Sequence, residues 1–234
     1  MLVPVKDFRQ AKARLAGHLT PAERHHLAET MAARVLAAGA PKPTFVVCDD
    51  VAVERFAREH GASPIVRRGY GLNGAVTSAV DELASAGCRQ VIVIHSDVPL
   101  ATSAALAALA GWPGVTLVPD RRDDGTNVAV VPASIGFRFA YGAGSFRRHG
   151  AEAIRLGLPL RVLRSPELGW DVDLPDDLIH PLLADLTPER RPTDALAGGR
   201  SAPSTQGDPA SPTVSPALTE GARPSLPTSP VSPR

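Results

Sequence analysis

The strongest constraint on this chain is a repeated switch in its apolar pattern. TFVVCDD (44–50), QVIVIH (90–95) and NVAVVP (127–132) carry nearly unbroken apolar runs, whereas TPAERHHLAETMAARVLAAG (20–39) spaces its apolar residues as a helix does. Runs without polar alternation suit strands covered on both faces. Strands alternating with helices predict a three-layer α/β domain on a mainly parallel sheet. The expected strands are 2–5, 44–50, 63–67, 90–95, 115–120, 127–132 and 160–165. The expected helices are 20–39, 51–61, 72–86, 102–111, 145–157 and 175–186. Two strands follow each other across the polar loop of 115–132, which predicts a small antiparallel insertion. Thr20, Pro21 and Glu23 form a capping-box start for the first helix, and Gly39 suits its end.

The alternation fades near residue 188. Residues 1–187 are read as the folded domain and 188–234, rich in Pro, Ser, Thr and Gly, as a disordered tail that buries too little to offset its ordering entropy. A net charge of +1 gives no general pull toward nucleic acid or a membrane surface, so any anion site must be local. Cys48 and Cys88 have no metal-ligand or disulfide-framework spacing. MLVPVKDFRQ has no signal-peptide pattern, and no apolar run is long enough to span a bilayer; the expected location is cytoplasmic.

Three features carry chemistry. VIVIHSDVPL (91–100) delivers Asp97 to a strand's carboxyl end, where open α/β sheets bind ligands. Asp97 could equally cap a helix or stabilise a turn. GWDVDLPDDL (169–178) places Asp171 and Asp173 at i and i+2, on one face of an extended segment. Two carboxylates so placed repel unless a cation joins them, and hard oxygen ligands suit Mg²⁺. Asp176 and Asp177 are read as caps of helix 175–186. After the first strand, Lys6, Arg9, Lys12 and Arg14 crowd one loop without any GxxxxGK[ST] or GxGxxG pattern. Such a loop can hold a triphosphate by charge, or be a solvated basic surface.

Taken in order, PVK…AKARL, GLN (71–73), SDVPL (96–100), DRRDDGTN (120–127), YGAGSFRRH (141–149) and DVDLPDDL (171–178) resemble one family over about residues 1–183. It is the guanylyltransferase family that activates 2-phospho-L-lactate or phosphoenolpyruvate in biosynthesis of the deazaflavin coenzyme F-420. The resemblance implies a GT-A-like nucleotidyltransferase fold, similar to the molybdenum-cofactor guanylyltransferases. It implies that Lys6, Lys12 and Arg14 line the GTP triphosphate, and that Gly71 and Asn73 meet the base. Asp97, Asp171 and Asp173 are then the Mg²⁺ ligands, with Lys12, Arg14 and Asp97 catalytic. Gly125, Thr126, Asn127, Gly142, Gly144 and Ser145 become the cradle for a small phosphorylated carboxylic acid. A downstream transferase that consumes the labile product is an implied partner. His149 matches the family's SFxxH, without a defined role.

Plainer readings stand beside these. GLN can be a capped helix start, Thr126-Asn127 an Asx-type turn, and Gly142 and Gly144 simple turn residues. GAGS ahead of a helix exposes backbone N–H groups able to bind an anion, with Ser145 as a cap. His95-Ser96 departs from the small residues expected before Asp97, and the 120–125 loop is crowded with charge. A cytidylyl- or other nucleotidyltransferase, a metal-dependent glycosyltransferase, and a non-catalytic nucleotide-binding domain are the alternatives.

Overall fold

The structure, a computed structural model, describes residues 1–186 of the 234. The expected boundary after 187 and the Pro/Ser-rich tail lie outside the described residues. In chain order the strands are β1 (Leu2–Pro4), β2 (Phe45–Cys48), β3 (Ser63–Val66), β4 (Gln90–Ile94), β5 (Val115–Pro119), β6 (Thr126–Pro132) and β7 (Leu160–Val162). The α-helices are α1 (Pro21–Gly39), α2 (Val51–Glu59), α3 (Gly71–Ser85), α4 (Ser103–Ala107) and α5 (Ser145–Arg155).

The strands form one sheet in the order β3-β2-β1-β4-β6-β5-β7. Pairs β1–β2, β2–β3, β1–β4 and β5–β7 are parallel. The antiparallel insertion is a single reversed strand, β6, wedged between β4 and β5. The short loop 120–125 allows no crossover, so the chain must turn back after β5.

Successive strand residues feed opposite cores. Val46, Ile94, Val128 and Val130 pack in the core that includes α1, α2 and α4 residues. Val47, Val93, Ala129 and Val131 pack in the core that includes α3 and α5 residues. That is the expected three-layer α/β arrangement, and it explains why these strands show no polar alternation. A third cluster joins Leu15, Leu27, Met31, Val172 and Leu183. It pins the basic loop between α1 and the chain after Trp170.

Two helix expectations are corrected. Residues 175–186 form two 3₁₀ segments, Pro175–Ile179 and Pro181–Leu186, rather than one helix. Pro181 holds the residue before it, His180, extended at φ −64°, ψ 128°, which breaks the run. The helix expected at 102–111 ends at Ala107, and Gly111 turns the chain at φ +79°. The caps are as read: Thr20 and Glu23 make the reciprocal capping box, and the Thr102 hydroxyl accepts from the Ala105 N–H.

Candidate active site

Parallel pairing places the carboxyl ends of β1 and β4 side by side. The basic loop leaves β1 there, and Asp97 lies just past β4. The Val172 N–H donates to the Asp97 carbonyl at 3.1 Å, which draws the 171–173 segment against the same edge. Val172 faces the third core cluster, so Asp171 and Asp173 turn together to the cavity side.

Lys12 is the hub. Its Nζ donates to Asp97 Oδ2 at 2.6 Å and to Asp173 Oδ1 at 3.0 Å, and Arg14 Nη1 reaches Asp173 Oδ2 at 3.2 Å. Lys12 sits at φ +54°, ψ 38°, a left-handed conformation costing a non-glycine residue about 1–2 kcal/mol. The loop tolerates that cost because the carboxylates hold the ammonium and buried Leu15 anchors the next turn. Burial pulls the Lys12 pKa down, but Asp97 and Asp173 outweigh it and hold it above the usual lysine value. Burial likewise opposes ionisation of Asp97, and the Lys12 charge reverses that and keeps it low. Asp171 is pushed up to about 6, first by burial and then by the Asp97 charge.

Two cavities meet at these groups. A cleft of about 730 Å³ is lined by Lys6, Lys12, Arg14, Gly71 and Leu72, among others. A smaller one of about 290 Å³ is lined by Thr126, Asn127, Gly142, Ser145 and Asp171. Arg14, His95, Asp97, Tyr141, Gly142 and Asp173 line both. The expected triphosphate loop and the expected acid cradle thus open on either side of Asp97 and Asp173. Thr126 and Asn127 begin β6 rather than forming a turn; the Asn127 amide spans to the Leu168 carbonyl at 3.1 Å and Asp171 Oδ1 at 3.5 Å.

Three expected roles change. Asn73 lines neither cavity; its Oδ1 accepts from the Tyr141 N–H at 2.7 Å, tying α3 to the shared wall. The N-terminus of α5 is not a free anion cradle. Gly144 is the cap at φ +71° and Ser145 the first helical residue, and the Gly144 N–H already donates to Asp124 Oδ1 at 3.0 Å. The Ser145 and Phe146 N–H groups are taken by the Gly142 and Asp124 carbonyls. Gly125 lines the smaller cavity, but its N–H donates to Asp120 Oδ2 at 2.9 Å. What the smaller cavity offers an anion is therefore side chains: the hydroxyls of Thr126 and Ser145, and Arg14 and Arg122.

Sequence reading gave Asp177 only the role of a helix cap. It is fully buried, and its Oδ2 accepts from the Asp173 and Leu174 N–H groups, each at 2.7 Å. Its Oδ1 takes Arg122 at 2.9 Å and Arg121. Asp177 is therefore more than a cap: it fixes the segment carrying Asp171 and Asp173 and ties it to the charged 120–125 loop. The crowded DRRDDG string was the available signal.

The donor chemistry fits a hard divalent cation. Five aspartates and two arginines line the smaller cavity, a formal charge of −3 that opposes entry of any anion. Asp97, Asp171 and Asp173 present only hard oxygens, and among the described residues Asp171 makes no ion pair to match its neighbours' contacts with Lys12. Among the described residues, no group of three or more His, Cys, Asp or Glu side chains is already gathered as a metal site, and Lys12 bridges two of the three aspartates.

Solved structures share this fold. A protein from Desulfovibrio desulfuricans G20 assigned as a nucleotide-diphospho-sugar transferase superposes with a TM-score of 0.62 at 16% identity, over 74% of this chain and 81% of its own. A nucleotidyl transferase from Methanothermobacter gives 0.53 at 15% identity, over 75% and 92%. The chain is thus of the nucleotide-diphospho-sugar transferase fold. Residues 1–185 match the family described as "Guanylyl transferase CofC like", and the chain belongs to that family. A phosphoenolpyruvate guanylyltransferase from Sphaerobacter thermophilus is 38% identical over 184 residues, covering 76% of this chain and 89% of its own. A 2-phospho-L-lactate guanylyltransferase from Halorubrum lacusprofundi is 34% identical over 189 residues, covering 78% and 83%. Among the described residues no helix is long and apolar enough to cross a membrane.

Proposed function

We propose that this protein transfers GMP from GTP to the phosphate of a small phosphorylated carboxylic acid, releasing pyrophosphate, as a step of coenzyme F-420 biosynthesis. The observation that carries the reading is the meeting of two cavities at Asp97 and Asp173, beside a loop bearing Lys6, Lys12 and Arg14. Phosphoenolpyruvate is the favoured acid, because the more similar named relatives act on it at 38% identity against 34% for the phospholactate enzyme.

The acid's phosphate oxygen attacks the α-phosphorus of GTP. One P–O bond forms, the bond to the β-phosphate bridge breaks, and pyrophosphate leaves. The nucleophile is already an anion, so no general base has to take a proton. This suits a junction where burial favours the neutral form of the His95 imidazole. The chain's task is to bring two anions together and hold them in line. Lys6, Lys12 and Arg14 hold the triphosphate from the large cleft, Gly71 and Leu72 lie where the nucleoside enters, and Thr126, Ser145 and Arg122 receive the acid. Asp97, Asp171 and Asp173 would hold Mg²⁺, which when bound supplies the positive charge that the aspartate-rich junction lacks. The expected location is the cytoplasm.

The test is pyrophosphate release with mass detection of product from GTP, CTP, UTP or ATP combined with each acid. A guanosine-diphosphate-linked acid from GTP and phosphoenolpyruvate is the expected product. Turnover of a nucleotide sugar without pyrophosphate, or GTP binding with no product from any acid, would replace the reading.

A further inference from the structure

His149 sits directly behind the wall of the smaller cavity, against Thr126, a placement its family motif does not explain. It lies four residues past Ser145 on the same face of α5 and is fully buried. The Ala140 N–H donates to its Nε2 at 2.9 Å. A ring nitrogen that accepts an N–H carries no proton, so in the neutral imidazole Nδ1 must be the protonated nitrogen. The ring is neutral: burial drives its pKa down to about 4, and the rings of Phe137, Phe139 and Tyr141 surround it with centroids 4.9–6.1 Å away.

Nδ1 lies 3.0 Å from Thr126 Oγ1, so its N–H donates to that hydroxyl. Ser145 Oγ also approaches Thr126 Oγ1, at 3.5 Å. With its oxygen accepting, Thr126 has its own proton to give, and the residue lines the smaller cavity. The imidazole thus ties together α5, the 137–142 segment and the first residue of β6, three walls of one cavity. The Gly144, Ser145 and Phe146 amides at the start of α5 are already taken, as shown above, so hydroxyl donors matter the more here.

Resting on the guanylyltransferase reading, we infer that His149 is a positioning residue for the acceptor acid. Its Nδ1–H fixes the Thr126 hydroxyl as a donor aimed at the acid's anionic group, and it does not itself meet the substrate.

The experiment combines a kinetic cycle with a direct reading of the tautomer. His149→Phe fills the space without the hydrogen bonds, and Thr126→Val removes the hydroxyl. Each should raise KM for the acid about tenfold, with KM for GTP changed less than about twofold. In the double variant the acid KM should be no higher than in Thr126→Val alone, since both changes remove one donor. His149→Asn, whose amide nitrogen can stand near Nδ1, should recover most of the loss. Multiplying effects in the double variant, or an equal rise in both KM values, would overturn the inference. In histidine-¹⁵N spectra of the wild-type protein at neutral pH, His149 should show a protonated Nδ1 and a bare Nε2. The opposite tautomer would overturn the inference even if the variants fold poorly. If the wild type turns over GTP with no acid at all, the proposed function and the kinetic role fall together, and the spectra still decide the hydrogen-bond chain.

Discussion

Replacing Asp177 with alanine should damage the protein far more than the same change at its neighbour Asp176. The Asp177 carboxylate is fully buried and holds the Asp173 and Leu174 N–H groups at 2.7 Å each, together with Arg121 and Arg122. In Asp177→Ala the two arginines lose little, because their side chains are 27% and 38% exposed and can turn to water. Arg121 also keeps its stacking over Trp170 at 4.1 Å. The two amides lose a charged acceptor that nothing else replaces. At roughly 1.5–3 kcal/mol for each of these two charge-assisted contacts, the loss is about 3–6 kcal/mol. For a domain of this size that lowers Tm by on the order of 10 °C. Asp176 is exposed, and its change should stay within about 0.5 kcal/mol. Urea denaturation of the wild type and both variants at one pH provides the comparison. Turnover well below Tm should also fall about a hundredfold in Asp177→Ala, because the freed segment carries Asp171 and Asp173 and a small displacement there spoils alignment. A loss below about 1 kcal/mol, or equal losses in the two variants, would refute the claim that Asp177 organises the site.

Three further outcomes follow from the same geometry. Gly144→Ala puts a Cβ into a left-handed conformation (φ +71°) and 3.3 Å from Arg148 Nη1, so thermal unfolding should show a loss of about 1–2 kcal/mol. Glu152 receives Arg155 through both oxygens at 2.7 Å and the Arg138 N–H at 3.0 Å, which hold its pKa at about 2. A depressed carboxyl contributes stability above its unfolded value of 4.5 that is lost as pH falls toward 2, so Glu152→Gln should flatten that acid limb in pH-dependent denaturation. Cys48 lines the large cleft, yet burial pushes its thiol up to about 11; alkylation at mildly alkaline pH should therefore mark Cys88 well before Cys48, as read by mass spectrometry.

The sheet was legible because its cause is local. Unbroken apolar runs such as VIVI and VAVV are what double-sided burial demands, and the run of two strands across 120–125 foretold the reversed β6. The gathering of Lys12, Asp97 and Asp173 was also legible, since a strand-end carboxylate, a paired DVD and a basic first loop are each local signals. What stayed hidden depends on contacts remote in the chain. Asn73 had the composition of a binding loop, but a backbone N–H 68 residues away claims its side chain. GAGS had the pattern of an open helix N-terminus, and Asp124, 20 residues upstream of Gly144, fills it. Asp177 looked like a helix cap, and its burial depends on Arg121 and Arg122 arriving from another loop. His149 had a motif without a role, because its partners Ala140 and Thr126 become meaningful only when three segments meet.

The account stands on nucleotidyl transfer at the junction of the two cavities, and Asp97→Asn measures that most directly. Turnover of GTP with phosphoenolpyruvate, followed by product mass and set beside the Kd for GTP, should fall about a hundredfold or more while the Kd changes only a few-fold. Turnover that stays within about threefold of the wild type would mean the reaction takes place somewhere other than beside Asp97.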